Sequence, residues 1–232
     1  MRAILRWGLW YPLLLALSAL VVVQIWFVMH IWYWASHNPD STAFMRARLA
    51  VIRADEPHER LMHRWVPYRR ISTHLKQAVI AAEDAKFASH SGFDWEAVQE
   101  AHQRNLREGE IVRGASTITQ QLAKNLFLSG ERSWWRKAQE AVITVMLETI
   151  LTKRRILEIY LNVAEWGDGV YGAEAAAYYH FRVPASELTP AEAARLAAML
   201  PSPRSYRPGR DTMYLQKRTA DILSHMQYAR IP

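Results

Sequence analysis

The apolar residues of the chain are concentrated near its N-terminus. Residues 7–34 contain no Asp, Glu, Lys or Arg, and this run exceeds the roughly 20 predominantly apolar residues that a membrane-spanning helix needs. Trp and Tyr stand at both of its ends, as they do at membrane interfaces. A cleaved signal peptide and a buried core helix are the alternatives, but the run is long for a signal peptide and no small-residue cleavage site follows it. The pattern therefore predicts a retained transmembrane helix.

The charges on either side of this helix predict its orientation. Arg2 and Arg6 precede it, whereas the first Lys or Arg after it is Arg46. Because basic residues accumulate on the cytoplasmic side of a span, we expect residues 1–6 to form a cytoplasmic tail and the remainder of the chain to lie outside the cytoplasm. The absence of Cys from the sequence is compatible with an oxidising compartment in which no disulfide is needed.

Beyond the apolar run, the spacing of apolar residues predicts helices almost throughout and few strands. We predict that residues 35–70 form a juxtamembrane connector with short helical pieces and that residues 71–232 form a mostly α-helical domain. Thr189 and Glu192 have the spacing of a capping box at the start of one helix. Ser116 is predicted to cap another helix, which carries most of the candidate chemistry.

Charge and motif content narrow the classes of function. The chain has 29 Lys and Arg against 22 Asp and Glu, a net charge of +7. This charge suits an anionic substrate, and a soluble surface near a membrane is the alternative. We expect no nucleic acid partner, because the basic residues are not interleaved with a recognisable binding module. Residues 167–172 match G-x-G-x-x-G but follow a predicted helix, whereas a dinucleotide site needs a strand there. The sequence contains no G-x-S-x-G or S-x-x-K to support an acyl-serine enzyme.

The helix predicted to begin near Ser116 has a face of hydrogen-bonding groups. Thr117, Gln121 and Lys124 are spaced by four and three residues, so they share one side of the helix. This face starts at the helix N-terminus, where free N–H groups and the dipole favour an anion. A polar face that is simply solvated is the alternative.

The segment "ERSWWRKAQEAV" concentrates cations around one carboxylate. Arg132, Arg136 and Lys137 lie within six positions, and both Arg136 and Lys137 are at helical spacing from Glu140. A surface ladder of ion pairs, which contributes little stability, is the alternative. Together with Lys124 these cations can clamp a diphosphate, since Arg offers a planar fork of donors and Lys a compact charge.

An acidic pair follows an almost wholly apolar stretch. Glu83 and Asp84 come after "AVIAA" and before Phe87. Apolar shelter raises the pKa of a carboxyl group and makes it a better base, whereas nearby cations lower that pKa. A helix-end acidic pair with a structural role is the alternative.

Four segments occur in the order "AVIAAEDAKFASHSGFD", "RGASTITQQLAKNLFL", "RKAQEAVITVMLE" and "KRRILEIYLNVAEWGDGVYG". They resemble successive motifs of the peptidoglycan glycosyltransferases, which are the glycan-polymerising modules of bifunctional penicillin-binding proteins and their stand-alone, membrane-anchored relatives. The resemblance extends over roughly residues 40–228. It implies a mostly α, two-lobed, lysozyme-like helical domain with one N-terminal transmembrane helix. It also implies a single-pass protein of the bacterial inner (cytoplasmic) membrane whose catalytic domain, residues 71–232, is periplasmic.

The resemblance further implies a reaction and its partners. Lipid II is an undecaprenyl diphosphate that carries a disaccharide-pentapeptide, and the family joins these disaccharides into glycan strands. The 4-hydroxyl of the acceptor sugar attacks C1 of the growing chain, undecaprenyl diphosphate leaves, and the anomeric configuration inverts. The expected partners are lipid II, nascent glycan strands, the lipid bilayer and other cell-wall synthesis proteins.

By the same resemblance, Glu83 is the general base and Glu140 is the second essential carboxylate. Glu140 would either orient Arg136 and Lys137 or hold a divalent cation, Mg or Mn, against the diphosphate. No cofactor is required on sequence grounds. The side chains expected to bind the substrate's sugar and phosphate oxygens are Ser116, Thr117, Gln121, Lys124, Asn125, Arg132, Arg136 and Lys137.

Two other classes of protein compete with this interpretation. A muramidase or lytic transglycosylase also requires an acidic residue in a helical cleft. Its substrate carries no diphosphate there, so it does not require four clustered cations. A basic, membrane-tethered adaptor is the non-enzyme alternative, and it predicts that Glu83 and Glu140 are dispensable.

Overall fold

The computed structural model describes residues 2–108, 116–131 and 133–232. It divides into two compact units, Met1–Asn38 and Pro39–Pro232. The first unit consists of helix α1, Arg2–Trp34, in which Trp10–Trp34 is long and apolar enough to cross a membrane, with a mean hydropathy of 2.3. This agrees with the predicted membrane anchor. The helix begins at Arg2, before the predicted start of the apolar run, because no helix-breaking residue separates the two.

The second unit is built almost entirely from helices, so the predicted mostly α fold is confirmed. Its α-helices within the described residues are α2 Ala43–Asp55, α3 Thr73–Glu83, α4 Trp95–Glu108, α5 Ile118–Phe127, α6 Trp134–Ile150, α7 Lys153–Val163, α8 Ala173–Phe181, α9 Pro190–Met199 and α10 Met213–His225. Short 3₁₀ turns occupy Tyr68–Arg70, Pro203–Ser205 and Met226–Tyr228. The two-lobed, lysozyme-like arrangement of these helices stays a prediction.

A small sheet of three strands joins distant parts of the second unit. The strands are β1 Met62–His63, β2 Glu165–Gly167 and β3 Val170–Tyr171, in the order β1-β3-β2. β1 is parallel to β3, and β2 is antiparallel to it. The glycine-rich segment after α7 therefore spans the end of β2, the turn and β3 of one hairpin. The prediction that a helix runs directly up to this segment is wrong, because α7 ends at Val163 and β2 precedes the turn.

Residues from the predicted connector take part in this fold. Asn162, buried on α7, accepts the Val66 backbone N–H through Oδ1 at 2.9 Å and donates through Nδ2 to the Val66 carbonyl at 3.0 Å. Gly172 passes so close that a Cβ on it would lie 2.6 Å from the Asn162 carbonyl oxygen, and its φ of +84° also favours glycine. The compact unit thus starts at Pro39, upstream of the predicted domain start at residue 71.

Two helix starts test the predicted caps. The capping box at the start of α9 is confirmed: Thr189 Oγ1 accepts the Glu192 N–H and Glu192 Oε2 accepts the Thr189 N–H. The prediction that Ser116 caps α5 is wrong, because Thr117 is the cap. The Gln120 side chain, three residues after Thr117, reaches back to the Thr117 N–H at 3.0 Å and closes a second capping box.

The core brings the ends of α3, α5 and α10 together. α3 packs against α9 and α10, and α5 packs against α6 and α7. The apolar faces of α3 and α5 are fully buried, through Val79 and Ile80 on one and Leu122 and Leu126 on the other. Burial of each such side chain is worth about 1.5–3 kcal/mol, so these faces hold both helices in fixed orientations. The candidate site lies where their polar faces meet.

Candidate active site

Glu83 is the last residue of α3, and Asp84 ends that helix. The Asp84 carboxylate accepts the Ile118 backbone N–H at 3.0 Å and the His90 Nε2–H at 2.8 Å. His90 Nδ1 in turn accepts the Gly92 backbone N–H at 3.1 Å. Asp84 is therefore a structural residue that ties the loop after α3 to the first turn of α5. This leaves Glu83 as the member of the acidic pair that is available for chemistry.

The Glu83 carboxylate is nearly excluded from solvent, with 12% of its side chain exposed. Gln121 Nε2 donates to Glu83 Oε2 at 2.8 Å, and Arg218 Nη2 lies 3.8 Å from Glu83 Oε1. Burial raises the pKa of Glu83 above its ordinary value, although the Gln121 hydrogen bond and the Arg218 charge oppose this in part. Glu83 thus has the environment of a general base, as the apolar run before it predicted.

Lys124 links this carboxylate to the cations of α6. Burial lowers the pKa of Lys124, and Arg136 and Lys137 lower it further, while Glu140 and Glu83 both raise it. Lys124 is therefore close enough to both carboxylates to feel their charge. Clustered positive charge of this kind suits an anionic group that arrives between the two carboxylates.

Glu140, on α6, is held by its two neighbours at helical spacing. Only 4% of its side chain is exposed; Arg136 Nη1 donates to Oε2 at 2.8 Å, and Lys137 Nζ donates to Oε1. The predicted pairing of all three residues is therefore present. Two cations are therefore bonded to one carboxylate, and the charge of Lys124 lies near enough to interact with all three, so positive charge is in excess here.

An open pocket of about 600 Å³ unites the polar faces of α3 and α5. It is lined by Glu83, Ser116, Gln121, Lys124, Tyr214 and Arg218, among others. A second pocket of about 300 Å³ lies on the other side of Glu83 and Asp84, against α4. Glu83 and Ser116 line both pockets, so the Glu83 side chain stands between two open spaces.

The other three residues predicted to bind substrate are Thr117, Asn125 and Arg132, and each has a different outcome. The Thr117 hydroxyl donates to the Gly92 carbonyl at 2.7 Å and accepts the Gln120 N–H, so it is buried and serves the helix cap. Asn125 is half-buried on α5 and is not among the residues that line the 600 Å³ pocket. Arg132 lies outside the described residues.

Two residues that the sequence reasoning missed also belong to the site. Arg218 comes from α10, and its buried Nε atom has no hydrogen-bond partner among the described residues. Tyr160, fully buried on α7, donates its hydroxyl hydrogen to Gln121 Oε1 at 2.9 Å. Neither could be found from local spacing: Tyr160 lies on an apolar helix face and Arg218 on an ordinary charged helix far along the chain.

The residues around Glu140 do not form a metal site as they are arranged. Both carboxylate oxygens are engaged by cations, and the described part of the chain contains no group of three or more His, Cys, Asp or Glu residues placed to hold a metal ion. A divalent ion prefers several oxygen ligands. In this arrangement both oxygens of the Glu140 carboxylate are engaged with Arg136 and Lys137.

Comparison with known proteins identifies the class of protein to which this site belongs. Residues 50–227 match the model of the transglycosylase family. This span exceeds half of the chain and includes both carboxylates and the cations around them. The chain belongs to the transglycosylase family, which confirms the family predicted from its four motifs.

The particular relatives are similar over nearly their whole length. The chain is 57% identical to the biosynthetic peptidoglycan transglycosylase of Methylobacillus flagellatus over 223 residues, 96% of this chain and 97% of the relative. It is 53% identical to the protein of the same name from Herminiimonas arsenicoxydans over 232 residues, 100% of this chain and 99% of the relative. It is also 58% identical over 206 residues, 89% of each chain, to that of an Azoarcus species.

Proposed function

We propose that this chain is a membrane-anchored peptidoglycan glycosyltransferase that polymerises glycan strands for the bacterial cell wall. The family and the names of the relatives support this activity. The observation that carries the mechanism is the position of Glu83 in one pocket with Lys124, which connects it to the cations held by Glu140.

Glu83 acts as the general base in this mechanism. It takes the proton from the 4-hydroxyl of lipid II while that oxygen attacks C1 of the growing strand. The new C1–O bond forms as the bond from C1 to the diphosphate oxygen breaks, and undecaprenyl diphosphate leaves with the electron pair. Attack from the opposite face inverts the anomeric configuration. A base with a raised pKa is better matched to this task than an exposed carboxylate.

Lys124, Arg136 and Lys137 neutralise the negative charge that develops on the departing diphosphate, and Arg132 adds to the field. The alignment of Arg136 and Lys137 before the reaction makes these two cations effective, since fixed charges need no reorganisation at the transition state. Glu140 supplies that alignment through its two ion pairs.

Polar groups on α5 complete the proposed substrate site. Ser116 and Asn125 bind sugar and phosphate oxygens. The Thr117 hydroxyl is left out of this set because the helix cap uses it.

No divalent ion is needed for this arrangement, because side-chain cations already face the diphosphate. Polymerisation is therefore expected to continue in the presence of a chelator. Loss of activity in EDTA, restored by Mg²⁺ or Mn²⁺, would show that a metal takes part.

The substrate is lipid II together with the nascent strand, whose lipid tails stay in the bilayer that α1 enters. The proposed orientation places residues 1–6 in the cytoplasm and Pro39–Pro232 in the periplasm of the inner membrane, because Arg2 and Arg6 precede the span. Other cell-wall synthesis proteins are further proposed partners.

The orientation can be tested cleanly because the chain has no Cys. A Ser186→Cys variant, at an exposed position of the second unit, is expected to react in intact spheroplasts with a maleimide that cannot cross membranes. An Ala3→Cys variant is expected to react only after lysis, and the reverse pattern would overturn the orientation.

The deciding experiment for the function uses the purified full chain in detergent with labelled lipid II. The wild type is expected to form polymer, and Glu83→Gln is expected to form none. Polymer from both proteins would keep the activity but move the base elsewhere. Absence of polymer from a folded wild type would reject the proposed function.

A further inference from the structure

Two hydrogen bonds in series connect the buried core of the second unit to Glu83. The Tyr160 hydroxyl donates to Gln121 Oε1 at 2.9 Å, and Gln121 Nε2 donates to Glu83 Oε2 at 2.8 Å. Only 1% of Tyr160 is exposed, so solvent does not compete for its hydroxyl. The three side chains come from α7, α5 and α3 respectively.

The groups that Gln121 contacts, the Glu83 carboxylate and the Tyr160 hydroxyl, determine how its side-chain amide is oriented. An ionised carboxylate can only accept hydrogen bonds, so it must face the amide nitrogen of Gln121. The amide oxygen then faces Tyr160, whose hydroxyl is the donor. Burial raises the pKa of Tyr160 well above its ordinary value, so this hydroxyl keeps its proton throughout the pH range in which Glu83 titrates.

A Gln121 amide turned by 180° would break both hydrogen bonds. Its oxygen would then face the Glu83 carboxylate, where it could accept only from a protonated Glu83. The Tyr160 oxygen could accept from the turned amide, but the hydroxyl hydrogen would lose the amide oxygen as its acceptor in a buried place, and this opposes the turn. The hydroxyl therefore favours the one amide orientation that stabilises an ionised Glu83.

We propose that Tyr160 is a positioning residue for the general base: acting through Gln121, it keeps an amide N–H on Glu83 and so holds Glu83 ionised and correctly oriented. This inference rests on the proposed function, in which Glu83 is the base. It also revises the predicted role of Gln121, whose amide is engaged at both ends within the protein. Gln121 serves the base rather than the sugar.

Other charged groups also face Glu83, and they must be separated from the effect of the amide. Asp84 follows it in the chain and raises its pKa, whereas Lys124 on α5 and Arg218 on α10 lower it. A Tyr160→Phe substitution leaves all three in place. It also keeps the aromatic ring that packs in the core and removes only the hydroxyl, so a shift in the titration of Glu83 reports on the amide.

The first test is the pH dependence of polymerisation by the full chain in detergent with lipid II. For Tyr160→Phe we expect the acidic limb of kcat/KM to move to higher pH by about 0.5–1 unit, because a weakened hydrogen bond to the ionised form raises the pKa. On that limb kcat/KM falls by about 3–10-fold, and it returns towards the wild-type value at higher pH. A purely structural defect would lower the rate equally at every pH.

We call the two hydrogen bonds from Tyr160 through Gln121 to Glu83 the relay. Two controls separate an effect of the relay from a general loss of packing. Tyr171→Phe removes another buried tyrosine hydroxyl, from β3 and outside the pocket, and is expected to leave the limb in place. Gln121→Met removes the amide and is expected to shift the limb at least as far as Tyr160→Phe does. The double variant of Tyr160 and Gln121 should match Gln121→Met alone, because one path carries both effects. Additive shifts would contradict the relay.

A titration without turnover distinguishes failure of this inference from failure of the proposed function. Glutamate labelled with ¹³C at the carboxyl carbon is followed by NMR, with Glu83→Gln to assign the signal, and Tyr160→Phe is expected to raise the midpoint of Glu83. An unshifted midpoint and limb in an active enzyme would overturn the inference and leave the function standing. If the folded wild type makes no polymer but Tyr160→Phe still raises the midpoint of Glu83, the inference stands and the proposed function is rejected. If Tyr160→Phe does not fold, Gln121→Met carries the test, and an unshifted midpoint there overturns the relay.

Discussion

The C-terminal end of α3 and the N-terminal half of α6 each bury one carboxylate, and they hold it in opposite ways. Glu83 has a neutral amide as its near partner and an arginine at 3.8 Å. Glu140 has one cation on each oxygen, Arg136 at 2.8 Å and Lys137. Both are nearly excluded from solvent, so the difference lies in their partners rather than in their burial.

In the proposed mechanism this difference separates Glu83, the group that reacts, from Glu140, the group that positions the cations. A carboxylate that has no cation bonded directly to it keeps its affinity for a proton, which a base requires. A carboxylate with a cation bonded to each oxygen fixes the position of both cations. The predictions below test whether the two carboxylates differ in this way, in order of decreasing effect.

The largest effect is expected for Glu83→Gln. Polymerisation should fall by about 10²–10⁴-fold because the general base is lost, while the fold is retained because glutamine has nearly the same shape. The measurement is polymer formation from lipid II beside thermal melting of the same samples. If melting collapsed together with activity, Glu83 would be a structural residue like Asp84.

Glu140→Gln is expected to affect both stability and activity. The free energy of unfolding should fall by about 1–3 kcal/mol, because Arg136 and Lys137 lose their counter-charge, an effect reduced by the exposure of Lys137. Polymerisation should fall by about 10–10²-fold as the cations lose their alignment. Glu165→Gln is a matched control, because Glu165 pairs with Arg204 at 2.9 Å through both oxygens outside the pocket. It should lose stability but not activity.

Lys137→Ala should show the smaller contribution of a cation in this cluster. Its side chain is 44% exposed, so the change in unfolding free energy should stay below about 1 kcal/mol. Turnover should nevertheless fall by about 10-fold, because a charge aimed at the leaving group is missing. Arg195→Ala, which breaks an exposed ion pair with Asp211, is the control for a cation outside the site. Equal losses of activity in the two variants would contradict a diphosphate role.

The smallest effect concerns stability as a function of pH. Because burial raises the pKa of Glu83 in the folded state, the folded chain binds this proton more tightly than the unfolded chain does. Its contribution to stability is present below the unfolded pKa and is lost as pH rises through the folded pKa. Glu83→Gln should therefore melt slightly above the wild type at pH 8, and the difference should shrink towards pH 4. A wild type that melts higher at pH 8 would show that Glu83 is stabilised as an ion.

The comparison of the two carboxylates also shows how far sequence reasoning reached. The pairing of Glu140 with Arg136 and Lys137 could be predicted because all three lie within two turns of one helix, where spacing alone decides which side chains meet. Shelter of Glu83 could be predicted from the apolar run before it. Its hydrogen-bond partner could not, because Gln121 reaches it only through the packing of α3 against the rest of the core.

Thr117 shows a different limit of sequence reasoning. A hydroxyl close to the start of a helix can have more than one role. The spacing placed Thr117 on one helix face with Gln121 and Lys124, and the family resemblance implied that its hydroxyl binds substrate. In the structure the Thr117 hydroxyl caps α5, because Gln120 stands three residues later and closes a capping box with it. A hydroxyl near a helix start can serve either purpose, and only the exact first residue of the helix decides between them.

The sequence by itself determined the transmembrane candidate, the mostly helical fold, the family and the cation cluster of α6. The family follows from the resemblance of four motifs to those of known proteins, and the other three depend on composition, periodicity or contacts between residues close in the chain. Only the tertiary structure decided that Asp84 bonds to the first turn of α5, that Arg218 approaches Glu83, and that Gln121 is hydrogen-bonded to both Tyr160 and Glu83. These contacts join α3, α5, α7 and α10, and their geometry depends on how buried apolar faces pack, which no local pattern of residues encodes.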